Sequence, residues 1–269
     1  MIGWLLALQG AILDVAAQGD RRAEAEQGEV RVDGKRVECS IAQIAGVAFA
    51  PDGAIVVFGG KPGQVGEVEV VGRWKAGEHA DMVNAVAFGP GWIATASHDT
   101  TVHVRDARNG RLLRKLEGHT GPALALAARP DGSLIVSAGA DRTIRVWDPS
   151  NGELKRVISN HGDRVGALAW SPDGRMLASG SRDRTVRLWQ PEIGRLVKFV
   201  RGHEGEILDL AWGEGALVSA GSDGKVRVID ADSASIAQEH DAGGCVTAVA
   251  LAGAREILAA AGRLRRWPR

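Results

Sequence analysis

The sequence predicts an all-β fold made of repeated four-stranded units. The residue pattern of residues 118–148 recurs in residues 160–190, with each matching residue displaced by 42 positions. Within each copy, short runs of alternating apolar residues are separated by turns rich in Pro, Asp and Gly, a pattern typical of antiparallel strands joined by hairpins. A unit of this length cannot bury both faces of its own sheet, so the copies are expected to pack against one another.

The first copy contains the strands of the unit in their clearest form. Its alternating runs occupy residues 123–127, 134–138, 143–147 and 154–158. The turn sequence Pro130-Asp131-Gly132 separates the first two runs, and a second turn around Asp141 separates the next two. Each unit is therefore predicted to be a four-stranded meander.

The pairs Gly118-His119 and Trp147-Asp148 make this repeat resemble the WD40 β-propeller family, whose units of roughly 40 to 45 residues carry a Gly-His and a Trp-Asp pair. The resemblance implies that His, Ser, Asp and Trp form one buried hydrogen-bonded set in each blade. In the two model repeats these residues are His119, Ser137, Asp141 and Trp147, and His161, Ser179, Asp183 and Trp189.

The resemblance implies a single seven-bladed propeller over residues 1–269. The expected blades are residues 10–43, 44–78, 79–118, 119–160, 161–202, 203–239 and 240–269. The last blade offers only three strands, beginning with one over residues 240–251, so residues 1–9 are expected to supply its fourth and close the ring. Six blades remain the alternative if residues 10–43 do not form a blade.

Several repeats depart from the model pair. Blade three has His79, Thr95 and Asp99 in register but Arg105 in the Trp position. Blade six has Ile229 in the Trp position, after His203, Ser219 and Asp223. Blade seven keeps His240 and Trp267 and lacks the Ser and the Asp. The five repeat histidines are 40, 42, 42 and 37 residues apart, which is regular enough for one ring.

Composition argues against several classes of function. Lys plus Arg equals Asp plus Glu, 33 against 33, so neither nucleic acid nor an anionic membrane is an expected partner. No run of about 20 apolar residues exists to span a membrane. The two cysteines, Cys39 and Cys245, lack the spacing of a haem or zinc site and are expected to be free, half-buried thiols on strands. No cofactor is expected.

Residues 2–8 are apolar and small residues follow, but residues 1–17 do not have the pattern of a secretion signal. They lack a positively charged start, and Asp14 interrupts the segment before Ala16-Ala17. A cytoplasmic protein is therefore expected, with a periplasmic or secreted one as the alternative if residues 1–17 act as a signal.

Two histidines lie outside the repeat position and raise the question of a metal. His98 and His103 flank the turn at Asp99, so a site of two His and one carboxylate can be drawn. His103, however, occupies the strand position of Arg145, Arg187 and Arg227, which predicts a half-exposed basic position and no metal. No Gly-x-Ser-x-Gly sequence joins a strand to a helix, so no catalytic residue is assigned.

The most consistent function is a non-catalytic scaffold that presents loops to other proteins and is monomeric on its own. In the resembled family, contacts gather at the rim formed by the turn before the hairpin Asp and the loop after the His. The candidate partner-binding residues are His98, Asp163, Arg164, Arg182, Glu204 and Glu206, with Trp92 as an exposed aromatic.

Two alternatives stay open. One is a small-molecule-binding or enzymatic propeller that uses the central channel, where the inner strands contribute only Asp14, Asn84 and Asp209 as polar residues. The other is an accessory propeller of a secreted bacterial assembly, because the glycine-rich residues 59–66 and the strand after them resemble loops of bacterial WD40 proteins that accompany haem domains. The same loop lacks the GK[ST] and helix of a phosphate-binding loop, so a surface hairpin is expected.

Overall fold

The computed structural model describes residues 12–18, 21–26, 29–41, 43–213, 216–252 and 256–268. Within these residues the chain contains strands, turns and loops but no helix, and therefore no helix that could cross a bilayer. The strands form seven antiparallel sheets, each built from strands that follow one another in sequence. This arrangement confirms the predicted all-β, seven-bladed propeller and excludes the six-bladed alternative.

The first three blades each have four strands. Blade 1 consists of β1 (Ile12–Gln18), β2 (Arg21–Glu26), β3 (Glu29–Val32) and β4 (Lys35–Val37). Blade 2 consists of β5 (Ile44–Phe49), β6 (Ile55–Gly59), β7 (Gly66–Val70) and β8 (Trp74–His79). Blade 3 consists of β9 (Val83–Gly89), β10 (Trp92–Ser97), β11 (Val102–Asp106) and β12 (Leu112–Leu116).

The next three blades repeat this order. Blade 4 consists of β13 (Ala123–Ala128), β14 (Ile135–Gly139), β15 (Ile144–Trp147) and β16 (Leu154–Ile158). Blade 5 consists of β17 (Val165–Trp170), β18 (Leu177–Ser181), β19 (Thr185–Gln190) and β20 (Arg195–Arg201). Blade 6 consists of β21 (Ile207–Gly213), β22 (Ala216–Gly221), β23 (Lys225–Asp230) and β24 (Ser235–Asp241).

The described part of blade 7 consists of β25 (Ala248–Ala252), β26 (Glu256–Ala260) and β27 (Leu264–Pro268). Its inner strand thus begins at Ala248, not at His240 as expected, because His240 still pairs with Val226 in the outer strand of blade 6. Gly243, with φ of 75°, lies in the loop that turns the chain toward the next blade. The closing strand expected from residues 1–9 lies outside the described residues.

The first strand of each blade faces the centre of the ring, and the ring is continuous between its two ends. Strand β1 packs beside β5 on one side and beside β25 on the other. Arg22 on β2 also forms an ion pair with Glu256 on β26, which joins blade 1 directly to blade 7. The described residues alone therefore bring the first and last blades together.

The hydrophobic core lies between blades. Trp147 of blade 4 packs in one cluster with Ala96, Val102 and Leu116 of blade 3. Trp189 of blade 5 packs in the same way with Ile144 and Val146 of blade 4. Both tryptophans are fully buried, so each blade covers the apolar face of its neighbour.

A chain of polar groups crosses the interior of blades 4 and 5. In blade 4, Trp147 Nε1 donates to Ser137 Oγ at 2.8 Å, Ser137 Oγ lies 2.8 Å from His119 Nε2, and His119 Nδ1 lies 2.8 Å from Asp141 Oδ2. In blade 5 the corresponding distances for Trp189, Ser179, His161 and Asp183 are 2.8, 2.7 and 2.8 Å. The eight residues named from the repeat are thus brought together as two matching sets.

The chain has a single consistent direction. The indole N–H can only donate, so the serine hydroxyl accepts it. A neutral His119 has one N–H and the ionised Asp141 beside Nδ1 can only accept, so the serine gives its own proton to His119 Nε2. The other imidazole nitrogen then carries the proton that Asp141 accepts. Burial lowers the pKa of His119 and of His161, and the contacts from the imidazole hold the pKa of Asp141 and of Asp183 below its usual range despite partial burial. Each histidine is therefore a neutral link of the chain.

Blade 3 replaces the tryptophan with a buried arginine. His79 lies 2.8 Å from Thr95 Oγ1 and 2.9 Å from Asp99 Oδ2. Arg105 is only 1% exposed, and its Nη1 donates to Glu78 at 3.0 Å and to the carbonyl of Gly110 at 3.1 Å. The guanidinium thus keeps its charge inside the blade by pairing with a carboxylate at the surface.

His103 differs from the sequence expectation. It is 3% exposed, not half-exposed, because its ring stacks on His79 with centroids 3.7 Å apart and its Nδ1 accepts from Arg105. Burial, with the neighbouring His79 and Arg105, lowers the pKa of His103 to about 3. The imidazole is therefore held neutral inside blade 3.

Blades 6 and 7 keep only part of the set of buried polar residues. In blade 6, His203 lies 2.8 Å from Ser219 and 3.0 Å from Asp223, while the buried Ile229 supplies apolar volume but no N–H. At the edge of blade 6, His240 stacks on Trp267 of blade 7 with ring centroids 5.2 Å apart. The cysteines lie in loops rather than on the expected strands, Cys39 half-buried and Cys245 exposed, and both thiols are free.

Replacing Ser137 with Ala is expected to lower the free energy of unfolding by about 2–4 kcal/mol, because it leaves the Trp147 N–H and His119 Nε2 buried without partners. Ser133→Ala, at an exposed turn, is the control and should cost less than about 1 kcal/mol. Urea unfolding followed by tryptophan fluorescence measures both. Equal losses for the two variants would contradict the role of the polar chain.

Stability is expected to fall as the pH drops from about 6.5 toward 3. The unfolded chain has ordinary histidines with a pKa near 6.5, whereas native His103 has a pKa of about 3, so the unfolded state takes up protons first. The contribution of His103 to the free energy of unfolding is complete above pH 6.5 and is lost as the pH falls from 6.5 toward 3. His103→Phe, which keeps a ring over His79, should flatten this dependence in urea titrations at successive pH values. An unchanged slope would show that His103 does not titrate as its burial requires.

Candidate functional site

The blade carboxylates fix the loops of one rim of the ring. Beyond its bond to histidine, each accepts the backbone N–H of the residue that follows that histidine. The distances are 2.9 Å from Ala80 to Asp99, 3.1 Å from Thr120 to Asp141, 3.0 Å from Gly162 to Asp183 and 3.0 Å from Glu204 to Asp223. Each carboxylate therefore joins the loop that enters its blade to the turn between the second and third strands of that blade, and this rim is held rigidly.

The turns of this rim carry side chains in a left-handed backbone conformation. Thr100, Arg142 and Arg184 have φ of 73°, 65° and 67° at the position where blade 6 has Gly224. This conformation costs a residue with a Cβ about 1–3 kcal/mol, and it directs Arg142 and Arg184 into solvent. Arg142 and Arg184 therefore place positive charge at the tips of two of these turns.

Four of the predicted contact residues form two ion pairs at the junction of blades 5 and 6. Arg164 donates through Nε and Nη2 to both oxygens of Glu206, at 2.7 and 2.6 Å. Asp163 lies 3.9 Å from Arg182, and this second pair is far more exposed. Arg164 thus links two blades, whereas Arg182 and the exposed Glu204 are available to a partner.

The structure separates Trp92 from the other predicted contact residues. His98 lies on the same rim, half-buried, and its backbone N–H donates to Met82 at 2.9 Å. Trp92 begins strand β10 at the opposite end, where its ring packs over Gly89 beside Phe88 and Pro90 in a groove of about 440 Å³. The expectation of one surface containing both residues is therefore corrected, because β10 spans the full height of the blade between them.

The central channel contains a carboxylate, that of Asp209, whose pKa is perturbed. Asp209 is enclosed by the inner strands, and burial raises its pKa to about 6. Its two oxygens accept the backbone N–H groups of Leu210 and Val249, both at 2.8 Å. Asn84 similarly donates to the carbonyl of Ala123 at 2.8 Å. Both polar side chains thus connect one blade to the next, and Asp14 holds the same register position in β1 as Asp209 in β21.

The two histidines considered for a metal do not converge with a carboxylate. Asp99 gives its oxygens to His79, Ala80 and Thr101, while His103 is buried on His79. Among the described residues there is no group of three His, Cys, Asp or Glu side chains that could hold a metal ion.

Sequence reasoning missed a cationic groove on blade 5. Arg184, Arg187 and Arg201 line a groove of about 410 Å³ together with Asp183, Thr185 and His203. Arg187 was treated only as one of several repeated strand arginines. The sequence feature that could have indicated this groove is the composition of β20, RLVKFVR. It contains four positively charged or aromatic residues and no acid to face those arginines.

Comparisons with known proteins agree with the repeat and with the ring. A family model described as WD40, "WD domain, G-beta repeat", matches residues 110–148, 152–190 and 194–230. "Small ribosomal subunit protein RACK1y" of Oryza sativa subsp. japonica is 43% identical over 67 residues, which cover 23% of this chain and 20% of that protein. The match therefore spans about a fifth of the length of this relative.

A solved structure has the same fold over almost the whole chain. A chain in the "Crystal Structure of Mitotic Checkpoint Complex" superposes with a TM-score of 0.86, over 98% of this chain and 92% of that chain, at 20% sequence identity. At this identity the likeness concerns the fold alone. The matched repeats, the buried His, Ser, Asp and Trp sets and the seven-bladed ring together show that the chain contains WD40 repeats, in residues 110–230, within a seven-bladed β-propeller.

Proposed function

We propose that the protein is a non-catalytic scaffold that binds other proteins through the rim at blades 5 and 6. The observation that carries this proposal is that the ionisable groups inside the blades have a structural role, while others at the rim are exposed. The interior His and Asp side chains are used in hydrogen bonds that hold the blades, whereas Arg182 and Glu204 stand exposed on loops fixed by those same bonds.

Rigid presentation favours binding because ordering a mobile loop on association would cost free energy. Gly162 and Glu204 are both held to a blade carboxylate by their backbone N–H groups. The backbone of the two loops that contain them is therefore fixed before a partner binds. The rim offers both signs of charge within two adjacent blades. Such a pattern supports orientation and specificity of a protein partner more than raw affinity.

The comparisons support an interaction role of this kind. The rice relative is named as a protein of the small ribosomal subunit, and the superposed chain belongs to a structure named as a complex. WD40 propellers are commonly interaction scaffolds. The channel alternative has less support, since both oxygens of Asp209 already accept backbone N–H groups.

Reversing two rim charges, Arg182→Glu with Glu204→Lys, is expected to reduce partner recovery roughly tenfold or more, because like charges would face the partner. Immobilised full-length protein incubated with lysate of its native source, followed by quantitative mass spectrometry, measures the recovery. Arg164 is left unchanged because its ion pair with Glu206 joins two blades.

The matched control is Arg175→Glu, a charge reversal at the opposite end of blade 5, on a side chain that is 84% exposed. This control should recover the same proteins as the wild type. Equal recovery by the rim variant and the wild type would place the partner elsewhere, and recovery of no specific protein by the wild type would contradict the scaffold proposal.

A further inference from the structure

We propose that blade 5 carries a binding site for a phosphate monoester, formed by Arg184, Arg187 and Arg201. These three side chains line the groove of about 410 Å³ on blade 5 that also contains Asp183, Thr185 and His203. The site does not include Arg182 or Glu204, so its test is independent of the proposed protein-binding rim.

Strand pairing places two of the cations on one face. Thr185 pairs with Arg201 and Arg187 pairs with Phe199 across strands β19 and β20. Directly opposed residues share a face of the sheet, and so do residues two apart along a strand. Arg187 and Arg201 are therefore diagonal neighbours, and Arg201 lies over the Phe199 ring at 5.2 Å from its centroid.

The third cation approaches from the turn. Arg184 directly precedes β19, and its φ of 67° belongs to the left-handed region. A residue with a Cβ is strained there. Neither Arg184 nor Arg201 forms an ion pair within the described part of the chain. Two guanidinium groups at the groove are thus without a carboxylate.

Arg187 is held in a fixed orientation. It donates to Thr185 Oγ1 at 3.2 Å, to the carbonyl of Asn160 at 2.5 Å and to Asp183 Oδ2 at 3.3 Å. A guanidinium has five N–H groups, so these three bonds leave two for a ligand. The anchoring places an arginine at the site before any ligand arrives, which reduces the cost of binding.

The single acid of the groove, Asp183, pairs with Arg187 and neutralises only one of these three charges. Asp183 Oδ2 accepts from His161 and from the N–H of Gly162, and its Oδ1 accepts from the N–H and hydroxyl of Thr185. Burial lowers the pKa of His203, which favours its neutral form. The groove therefore carries three positive charges against one negative charge.

Blade 6 contains the balanced version of the same arrangement. Lys225 pairs across strands with Asp241 and Arg227 pairs with Glu239, at N to O distances of 2.9 and 2.8 Å. In blade 5, the positions equivalent to Asp241 and Glu239 are occupied by Arg201 and Phe199. The excess of positive charge in blade 5 is thus absent from blade 6 and is not a property of every repeat.

This combination fits a phosphate monoester. Guanidinium groups bind phosphate through charge-assisted, often paired hydrogen bonds. Phe199 is 50% exposed beside them and can pack against the organic group that carries the phosphate. A free inorganic anion would use the cations but not this ring.

Isothermal titration of the full chain with phenyl phosphate, inorganic phosphate and benzoate, at constant ionic strength, tests the site. Phenyl phosphate is expected to bind about three- to tenfold more tightly than inorganic phosphate because of the ring contact, and benzoate more weakly than either. Absence of phosphate binding, or benzoate binding as tight as phenyl phosphate, would overturn the proposal.

The decisive variant is Phe199→Glu with Arg201→Asp, which gives blade 5 the cross-strand acids of blade 6. It should weaken phenyl phosphate binding roughly tenfold or more, while Arg195→Asp, at the far end of the same strand, should leave it unchanged. Arg201→Gln is a milder change that should weaken phenyl phosphate binding several-fold. It serves as the test if the double variant does not fold. Unchanged affinity in a folded Arg201→Gln protein, or an equal loss in Arg195→Asp, would refute the assignment.

Discussion

The structure depends on a buried line of hydrogen bonds that runs from an indole N–H through a serine hydroxyl and an imidazole to a carboxylate. In blade 4 each of these three contacts measures 2.8 Å. A polar group left alone in such an interior would cost about 1–3 kcal/mol, so each member is stable there only because the others are present. The line crosses the blade from its packed tryptophan to the rim, and thereby couples the hydrophobic contact between blades to the position of the surface loops.

Blades that lack one member compensate in different physical ways. Ile229 keeps the apolar contact of the tryptophan and omits its hydrogen bond, whereas Arg105 introduces a charge that reaches Glu78 at the surface. The channel uses another solution, since Asp209 and Asn84 bond to the backbone of the following blade. The ion pair between Arg22 and Glu256 joins blade 1 to blade 7. A repeat can thus diverge in sequence and keep its place, provided that its buried polar groups find partners.

The sequence predicted the fold well because both of its signals are local and periodic. The 42-residue displacement between the two model repeats and the alternation within them fixed the strand order, even in blade 1, where no tryptophan is present. The candidate surface was less predictable because it depends on register and on neighbouring strands. His103 was expected to be half-exposed like the arginines at its position, yet stacking on His79 buries it. Trp92 was grouped with the rim although it starts the strand that ends there. The cationic groove depends on the pairing of β19 with β20, which places Arg187 and Arg201 on one face of the sheet.

The protonation state of the blade histidines tests this account most directly. Nitrogen-15 NMR of the imidazoles distinguishes the two neutral tautomers and the charged form for His119 and His161. The account predicts that both are neutral at pH 6.5, with the proton on Nδ1 facing Asp141 and Asp183. Imidazoles protonated on Nε2 alone, or charged at this pH, would contradict the direction of the buried hydrogen-bond line and with it the basis for a rigid rim.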